Sequence, residues 1–150
     1  MAQYEYGFAS AAALTVAWYW DILATTQDVA IREIHLFSPA ATASAGTKLM
    51  RTTANGTRTT PTVPTAAQCA LNPAANPPLA GFATAWSVSP TNATNAMRQW
   101  AGAASIGSGV IWTWYGANGP LILPAGKTLV CFNSSGATGP AFNVTVIWEE

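Results

Sequence analysis

The chain has 150 residues, of which only 8% are charged, and its net charge is zero. Ordinary soluble domains carry about 25% charged residues, so this chain has no electrostatic field that would attract nucleic acid or anionic lipid. We therefore expect neither nucleic acid nor a membrane as a partner. Low charge favours association, so we expect other protein molecules to cover much of the surface. A surface hydrated by Ser, Thr and Asn is the alternative.

Alternation of apolar and polar side chains predicts strands in the first third of the chain, because successive side chains of a strand point to opposite faces. Residues 1–10 are predicted to form a first edge strand or an N-terminal arm that lies on another subunit. Residues 14–22 give the longest alternation, with one face formed by Leu14, Val16, Trp18, Trp20 and Ile22. Two more strands are predicted at 29–37 and 46–53.

The segment 53–80 breaks this pattern. Half of the ten prolines of the chain lie in it, and Thr, Ala and Asn fill the gaps. Chain rich in proline is extended and stiff, and long loops without structure of their own are usually functional or disordered. Two interpretations carry equal weight. One is a connection between two sheets with Cys69–Leu71 as a short strand, and the other is an arm that reaches a neighbouring subunit.

Six further strands are predicted in the second half of the chain, at 80–88, 96–101, 110–115, 121–123, 128–132 and 142–148. The turn at Pro90-Thr91-Asn92 separates the first two of them. Pro124 followed by Gly126 predicts a tight turn that contains a left-handed glycine. The last strand has the clearest apolar face, and we expect it to be central in its sheet, with a neighbour at each edge.

Eight to ten short strands with no substantial helix predict an all-β fold, namely a two-sheet antiparallel β-sandwich. Long connections such as 53–80 favour a jelly-roll-like arrangement over a simple meander. The length suits one domain over residues 1–150. The most apolar run, residues 9–20, is shorter than the ~18 residues of a membrane-spanning helix, and no Lys or Arg precedes it, so we expect no export signal.

Residues that could support catalysis or metal binding are few. His35 follows the core position Ile34, and neither a nucleophile nor further ligands lie near it in the sequence. Cys69 and Cys131 lack metal-binding spacing; we expect buried free thiols, although an oxidising compartment would allow a bridge between them. The six carboxylates show no facing pair. We therefore predict no catalytic residue, no cofactor and no metal, and a protein that is not an enzyme.

Aromatic residues are the remaining signal. Five tryptophans fit the inward faces of strands, whereas Trp100 and several tyrosines are harder to bury in one small domain. Tyr and Trp are enriched in protein interfaces. They also stack on sugars, so a lectin-like module is an alternative. Together with three residues of the Pro-rich segment, the predicted interface residues are Tyr4, Tyr6, Phe8, Tyr19, Arg58, Pro61, Pro64, Trp100 and Tyr115.

Four stretches carry a resemblance to a known group: Val29–Phe37 with the Pro/Ala/Ser/Thr loop after it, Ala83–Thr91, Ile106–Trp112, and Leu123–Leu129 with the end Val146–Glu150. They resemble the small cement or decoration proteins of tailed-phage heads. The resemblance implies a jelly-roll-like sandwich that forms a homotrimer, binds the major capsid protein on the outside of the virion and is assembled in the host cytoplasm. It transfers no active-site residue. A carbohydrate-binding module of a phage tail or fibre is the alternative.

Overall fold

The computed structural model describes residues 1–14, 16–72, 76–117 and 119–150. In these residues it has one short helix, α1 (Ala66–Cys69), and twelve strands. The strands are β1 (Gln3–Ala9), β2 (Ala17–Leu23), β3 (Val29–Phe37), β4 (Ser44–Ala54), β5 (Thr57–Arg58), β6 (Gly81–Ala83), β7 (Trp86–Val88), β8 (Thr91–Gly102), β9 (Gly109–Thr113), β10 (Leu121–Leu123), β11 (Thr128–Asn133) and β12 (Asn143–Glu149). The predicted count of eight to ten is too low, because β5 has only two residues and shows no alternation, and because the strand predicted at 80–88 is two strands, β6 and β7.

Antiparallel pairing builds two five-stranded sheets. Sheet 1 has the order β1-β12-β3-β10, and β9 also pairs with β3; sheet 2 has the order β6-β2-β11-β4-β8. Strands β5 and β7 form a small separate pair. The two large sheets pack against each other, so the predicted all-β antiparallel sandwich is confirmed. The jelly-roll-like connection of its strands stays a prediction.

Strand β12 is central in sheet 1, as predicted, because it pairs with β1 on one side and with β3 on the other. Its inward side chains Val144, Val146 and Trp148 are buried, and so is Phe142 just before it. These side chains share one apolar cluster with residues of both sheets. Burial of a large apolar side chain stabilises the fold by about 1.5–3 kcal/mol, so this cluster holds the sandwich together.

Strand β2 departs from the predicted alternation at its beginning. It starts at Ala17 rather than Leu14, and the side chains of Leu14 and Val16 are exposed. The backbone of Val16 has a φ of 51°, a conformation that a β-branched residue rarely adopts and that ends an extended run. Thr15, predicted within this strand, lies outside the described residues.

A β-bulge changes which side chains of β2 face the core. Cys131 pairs with Trp20 but Phe132 pairs with Trp18, so Tyr19 is the extra residue. A bulge places two residues of one strand opposite a single residue of its partner. Tyr19 and Trp20 both join the core cluster, whereas Trp18 packs on the other side of the sheet with Phe132. The prediction that Trp18 lies in the core between the sheets is wrong for this reason.

The Pro-rich segment folds back onto its own sandwich. The predicted strand at Cys69–Leu71 is wrong: a capping box between Thr65 and Gln68 starts helix α1 instead. Pairing begins only at Ala70, which bridges to Tyr4. The capping box favours a helix here, because the side chain of a capping Thr and that of a Gln three residues later accept hydrogen bonds from backbone N–H groups that would otherwise be free.

Two boundaries in the following segment also differ from prediction. The strand predicted at 80–88 is divided into β6 and β7, which belong to different sheets. Strand β8 begins at Thr91, inside the predicted turn, and is longer than the predicted 96–101. The turn after β10 is confirmed, since Gly126 has a φ of 73°.

Candidate interaction surfaces

The outer face of sheet 1 carries a cluster of polar and apolar side chains. We call it the sheet-1 face and define it as Glu33, His35, Phe37, Ile111 and Tyr115. Strand register places Ile111 beside His35, and the alternate residues Ile34, Leu36 and Trp112 point inward and are buried. The residues of this face therefore point away from sheet 2.

Glu33 is the centre of the polar part of this face. Its carboxylate lies 2.6 Å from Nε2 of His35 and accepts a hydrogen bond of 2.5 Å from the hydroxyl of Tyr115. The Tyr115 bond, and after it the His35 contact, hold the pKa of Glu33 below its usual range. The same bond to Glu33 raises the pKa of Tyr115. Arg32 and Glu149 form an ion pair of 2.9 Å beside the cluster.

Apolar side chains adjoin these polar groups and remain open to solvent. Ile111 is 49% exposed, Tyr115 is 57% exposed and Phe37 is 38% exposed. Gly109 gives Phe37 this position, because a Cβ there would collide with the backbone of Leu36 and with Phe37 itself. Apolar groups next to a few directional hydrogen-bonding groups are typical of protein interfaces.

The outer side of sheet 2 is closed by the chain itself. Asp21 of β2 has no exposed surface. Its carboxylate lies 3.0 Å from Nε and 2.8 Å from Nη2 of Arg58 in β5. Nε1 of Trp86 in β7 donates a 2.8 Å hydrogen bond to the same carboxylate. Burial raises the pKa of Asp21, although the bonds from Arg58, Trp86 and the backbone of Ala83 oppose that rise.

Sequence reasoning missed this buried ion pair. Arg58 is predicted to contact a partner, but its guanidinium is bound to Asp21 within the chain. Simple alternation puts Asp21 on the polar face of its strand. The available signal was the position of one carboxylate among tryptophans in a strand, since a buried charge requires a partner.

Three of the predicted interface residues are buried in the chain: Tyr4, Tyr19 and Pro64. The prediction that Tyr4 and Tyr19 are hard to bury is wrong, because each has an aromatic partner. Tyr4 stacks on Trp148 with ring centroids 5.4 Å apart, and Tyr19 packs against Phe142 at 4.9 Å. Burial raises the pKa of Tyr19 to about 12.

The other predicted interface residues do not form one surface. Tyr6 and Phe8 are half-buried and line a groove at the side of the sandwich. Pro61 is exposed beside that groove, Trp100 borders a cleft at the far edge of sheet 2, and Tyr115 lies on the sheet-1 face. That these residues contact a partner stays a prediction.

The two cysteines are free and buried, as expected from their sequence context. Burial raises the pKa of both thiols, so neither is a ready nucleophile. Within the described ranges, no cluster of three or more His, Cys, Asp or Glu side chains could hold a metal ion. No helix in the same ranges has the length and apolar character to span a membrane.

Family models, curated proteins and solved structures were compared with this chain, and none matches it. Function must therefore be argued from the surfaces. The side chains of the sheet-1 face lie on the open side of a sheet, and the groups that could act as acids or bases there already contact one another. This arrangement suits binding of another macromolecule better than chemistry on a small substrate.

Proposed function

We propose that this chain is a structural protein of a virion, which binds the major capsid protein as a cement or decoration protein and associates with itself as a homotrimer. The sheet-1 face carries this proposal. On it the large apolar side chains of Phe37, Ile111 and Tyr115 are open to solvent beside the polar contacts of Glu33. A neutral chain with few charges favours permanent protein contacts of this kind.

The experiment measures whether the protein co-purifies with intact virions. Virions from the natural source are purified on a density gradient, and the number of copies of this chain per major capsid subunit is determined by quantitative mass spectrometry. We expect a fixed copy number that is lost when the particles carry Ile111→Lys. Charge at Ile111 opposes desolvation of the contact without touching the core, since Ile111 points outward.

Val88→Lys is the matched control, because Val88 is 59% exposed and lies in β7, on the opposite side of the sandwich from the sheet-1 face. This control should bind particles as the unchanged protein does. Sedimentation velocity on the free protein tests the trimer separately, and a mass of three chains is expected. Absence of the chain from purified particles would refute the capsid role, and a monomer at high concentration would refute self-association.

A carbohydrate-binding module is the second candidate, and the cleft beside Trp100 favours it. This cleft has a volume of about 370 Å³ and is lined by Trp100 together with Lys48, Gln99 and Ser134. An aromatic ring flanked by amide, amine and hydroxyl groups suits a sugar, and the volume lies within the range of about 300–1,000 Å³ that ligand sites occupy. Glycan binding that is lost in Trp100→Ala, with particle binding unaffected, would support this candidate over the first.

A further inference from the structure

Strand β1 forms an edge of sheet 1, and the second half of this edge lacks the usual protection. It contains seven residues in regular pairing with β12, without proline and without a shift in register. Its single charged residue is Glu5. Natural proteins protect long edge strands with prolines, bulges, charges or covering segments, so an unprotected edge points to a strand that pairs here.

The register shows which backbone groups of β1 are open. Ala2 and Glu150 exchange two backbone hydrogen bonds, of 2.8 and 3.1 Å. Because hydrogen-bonded pairs alternate in an antiparallel ladder, Tyr4, Tyr6 and Phe8 direct their N–H and C=O groups to β12. Gly7 and Ala9 direct theirs outward.

The chain itself already pairs with the beginning of this outer edge. The carbonyl of Gln3 accepts a 3.0 Å hydrogen bond from the N–H of Leu71, and Ala70 bridges to Tyr4. Beyond this point no described residue bonds to the outward backbone groups of Gly7 and Ala9. The chain around Ala70 therefore already pairs in antiparallel fashion with one end of this edge, and Gly7 and Ala9 at the other end remain open.

A groove adjoins the open positions. Tyr6 and Phe8 of β1 form one wall, and Phe82 of β6 forms the floor, with ring centroids 5.3 and 5.4 Å from those of Tyr6 and Phe8. The rest of the lining contains no charged side chain and consists of Ala9, Thr60, Thr62, Ala83 and Thr84. The volume is about 140 Å³, below the ~300 Å³ at which small-molecule sites begin.

We propose that Gly7 and Ala9 at this edge, with the groove beside them, bind an extended segment of another polypeptide. The segment pairs with the outward backbone groups and continues the sheet. Its alternate side chains point to the same side as Tyr6 and Phe8, so one uncharged apolar side chain enters the groove. A basic residue of the segment would complement Glu5. This inference is independent of the capsid proposal, because it involves a different side of the sandwich.

Hydrogen exchange followed by NMR tests the pairing residue by residue. The probes are four blocked synthetic heptapeptides that alternate threonine with one apolar residue type (Ala, Val, Leu or Phe) and end in lysine. In the free protein the amides of Tyr6 and Phe8 should be protected and those of Gly7 and Ala9 should exchange fast. At about millimolar peptide, Gly7 and Ala9 should become protected with at least one probe, and a proline at the centre of that probe should abolish the effect.

Gly7→Pro separates edge pairing from folding. It removes the outward N–H of Gly7, and the ladder to β12 does not use that group; proline is tolerated in edge strands for this reason. Gly7→Ala is the matched control, since the nearest atoms to an added Cβ are at 3.8 and 3.9 Å. Peptide affinity should fall by at least about tenfold in Gly7→Pro and stay unchanged in Gly7→Ala.

Three results would overturn the proposal. The first is fast exchange at Gly7 and Ala9 with all four peptides. The second is equal affinity of the Gly7→Pro variant for the bound peptide. The third is protection of both amides without peptide, increasing with protein concentration, which would identify a second copy of this chain as the occupant.

Discussion

The two outer faces of the sandwich carry similar groups in opposite settings. On sheet 2, the Asp21 carboxylate is buried beneath Arg58 and Trp86, which belong to the small sheet of β5 and β7. On sheet 1, the Glu33 carboxylate binds His35 and Tyr115 at the surface. Both carboxylates have two side-chain partners, but only the first is sealed from solvent.

This difference bears on where the proposed partner would bind. One interpretation of the sequence has the segment 53–80 reaching a neighbouring subunit. Arg58 of β5 in that segment, together with Trp86 of β7, instead covers Asp21 of sheet 2 and satisfies its buried charge. Breaking a buried pair is expensive because one charge is left without compensation, so this segment is not free to leave. Among the described residues, the side chains of the sheet-1 face remain partly open to solvent, and the proposed capsid contact is expected there.

Loss of the buried partner of Asp21 should have the largest effect. Arg58→Met is expected to lower the free energy of unfolding by about 3–5 kcal/mol at neutral pH, measured by urea denaturation. The raised pKa of Asp21 means that its ionisation opposes folding increasingly as the pH rises through that pKa. The loss in Arg58→Met should therefore become smaller as the pH falls through that raised pKa, because the carboxyl group takes up a proton.

The double variant Asp21→Asn/Arg58→Met is the control for that effect. It leaves no buried charge, and the amide oxygen still accepts the hydrogen bond from Trp86. Its stability should recover most of the loss. A double variant as unstable as Arg58→Met alone would show that packing of the Arg58 stem, rather than charge, closes sheet 2.

Trp86→Ala and Tyr115→Ala compare one aromatic residue from each outer face. Trp86 is part of the cover over Asp21 and lies 6.5 Å from the ring of Trp18, so its removal should lower stability by about 2–3 kcal/mol. Tyr115 is largely exposed, and its removal should lower stability by less than about 1 kcal/mol. Equal losses in thermal or urea unfolding would contradict the distinction between a covered and an open face.

The inner side of sheet 2 is tightly packed around Tyr19, and a substitution at Gly139 tests this packing. A Cβ at Gly139 would collide with the hydroxyl of the buried Tyr19, so Gly139→Ala should lower stability by about 1–3 kcal/mol. Gly136→Ala is the control, because nothing lies near its added Cβ, and it should change stability by less than about 0.5 kcal/mol. Tyr19→Phe should rescue Gly139→Ala in part, since it removes the hydroxyl but leaves Cζ of the ring 2.9 Å from the added Cβ; absence of any rescue would place the strain elsewhere.

The sequence predicts the parts of the fold that depend on uninterrupted alternation. Strand β3 has its predicted bounds of Val29–Phe37, and β12 has its predicted central place, because neither requires knowledge of distant residues. The two-sheet sandwich follows from the number of such strands. The free state of both cysteines is likewise a local expectation, since small apolar thiols are usually buried.

The errors arise where contacts distant in sequence decide the structure. The bulge at Tyr19 depends on β11, which lies more than a hundred residues later, and a bulge reverses every side chain on one side of it. The burial of Asp21 depends on Arg58 and Trp86 in the same way. The polar residues and prolines of the segment 53–80 predict a connection or arm without contacts to the sandwich. Pairing of Thr62 with Phe82 instead holds this part of the segment to the sandwich.

The smallest effect is expected on the sheet-1 face and concerns pH. The Tyr115 and His35 contacts lower the pKa of Glu33, so its ionised form stabilises the fold above the ordinary pKa of about 4.3, and this contribution disappears as the pH falls through the lowered value. Glu33→Gln should therefore be less stable than the unchanged protein by at most about 1 kcal/mol at pH 7. The two proteins should be equally stable once the pH lies below the lowered pKa of Glu33.

Urea unfolding of both proteins at several pH values measures this difference. Glu5→Gln, at an exposed position, is the control, and at pH 7 it should change stability by less than about 0.5 kcal/mol. A loss of several kcal/mol in Glu33→Gln would mean that the cluster is as important for folding as the Asp21 pair. The sheet-1 face would then be a structural element rather than a surface open to a partner, and the contrast between the two faces would no longer support the proposed capsid contact.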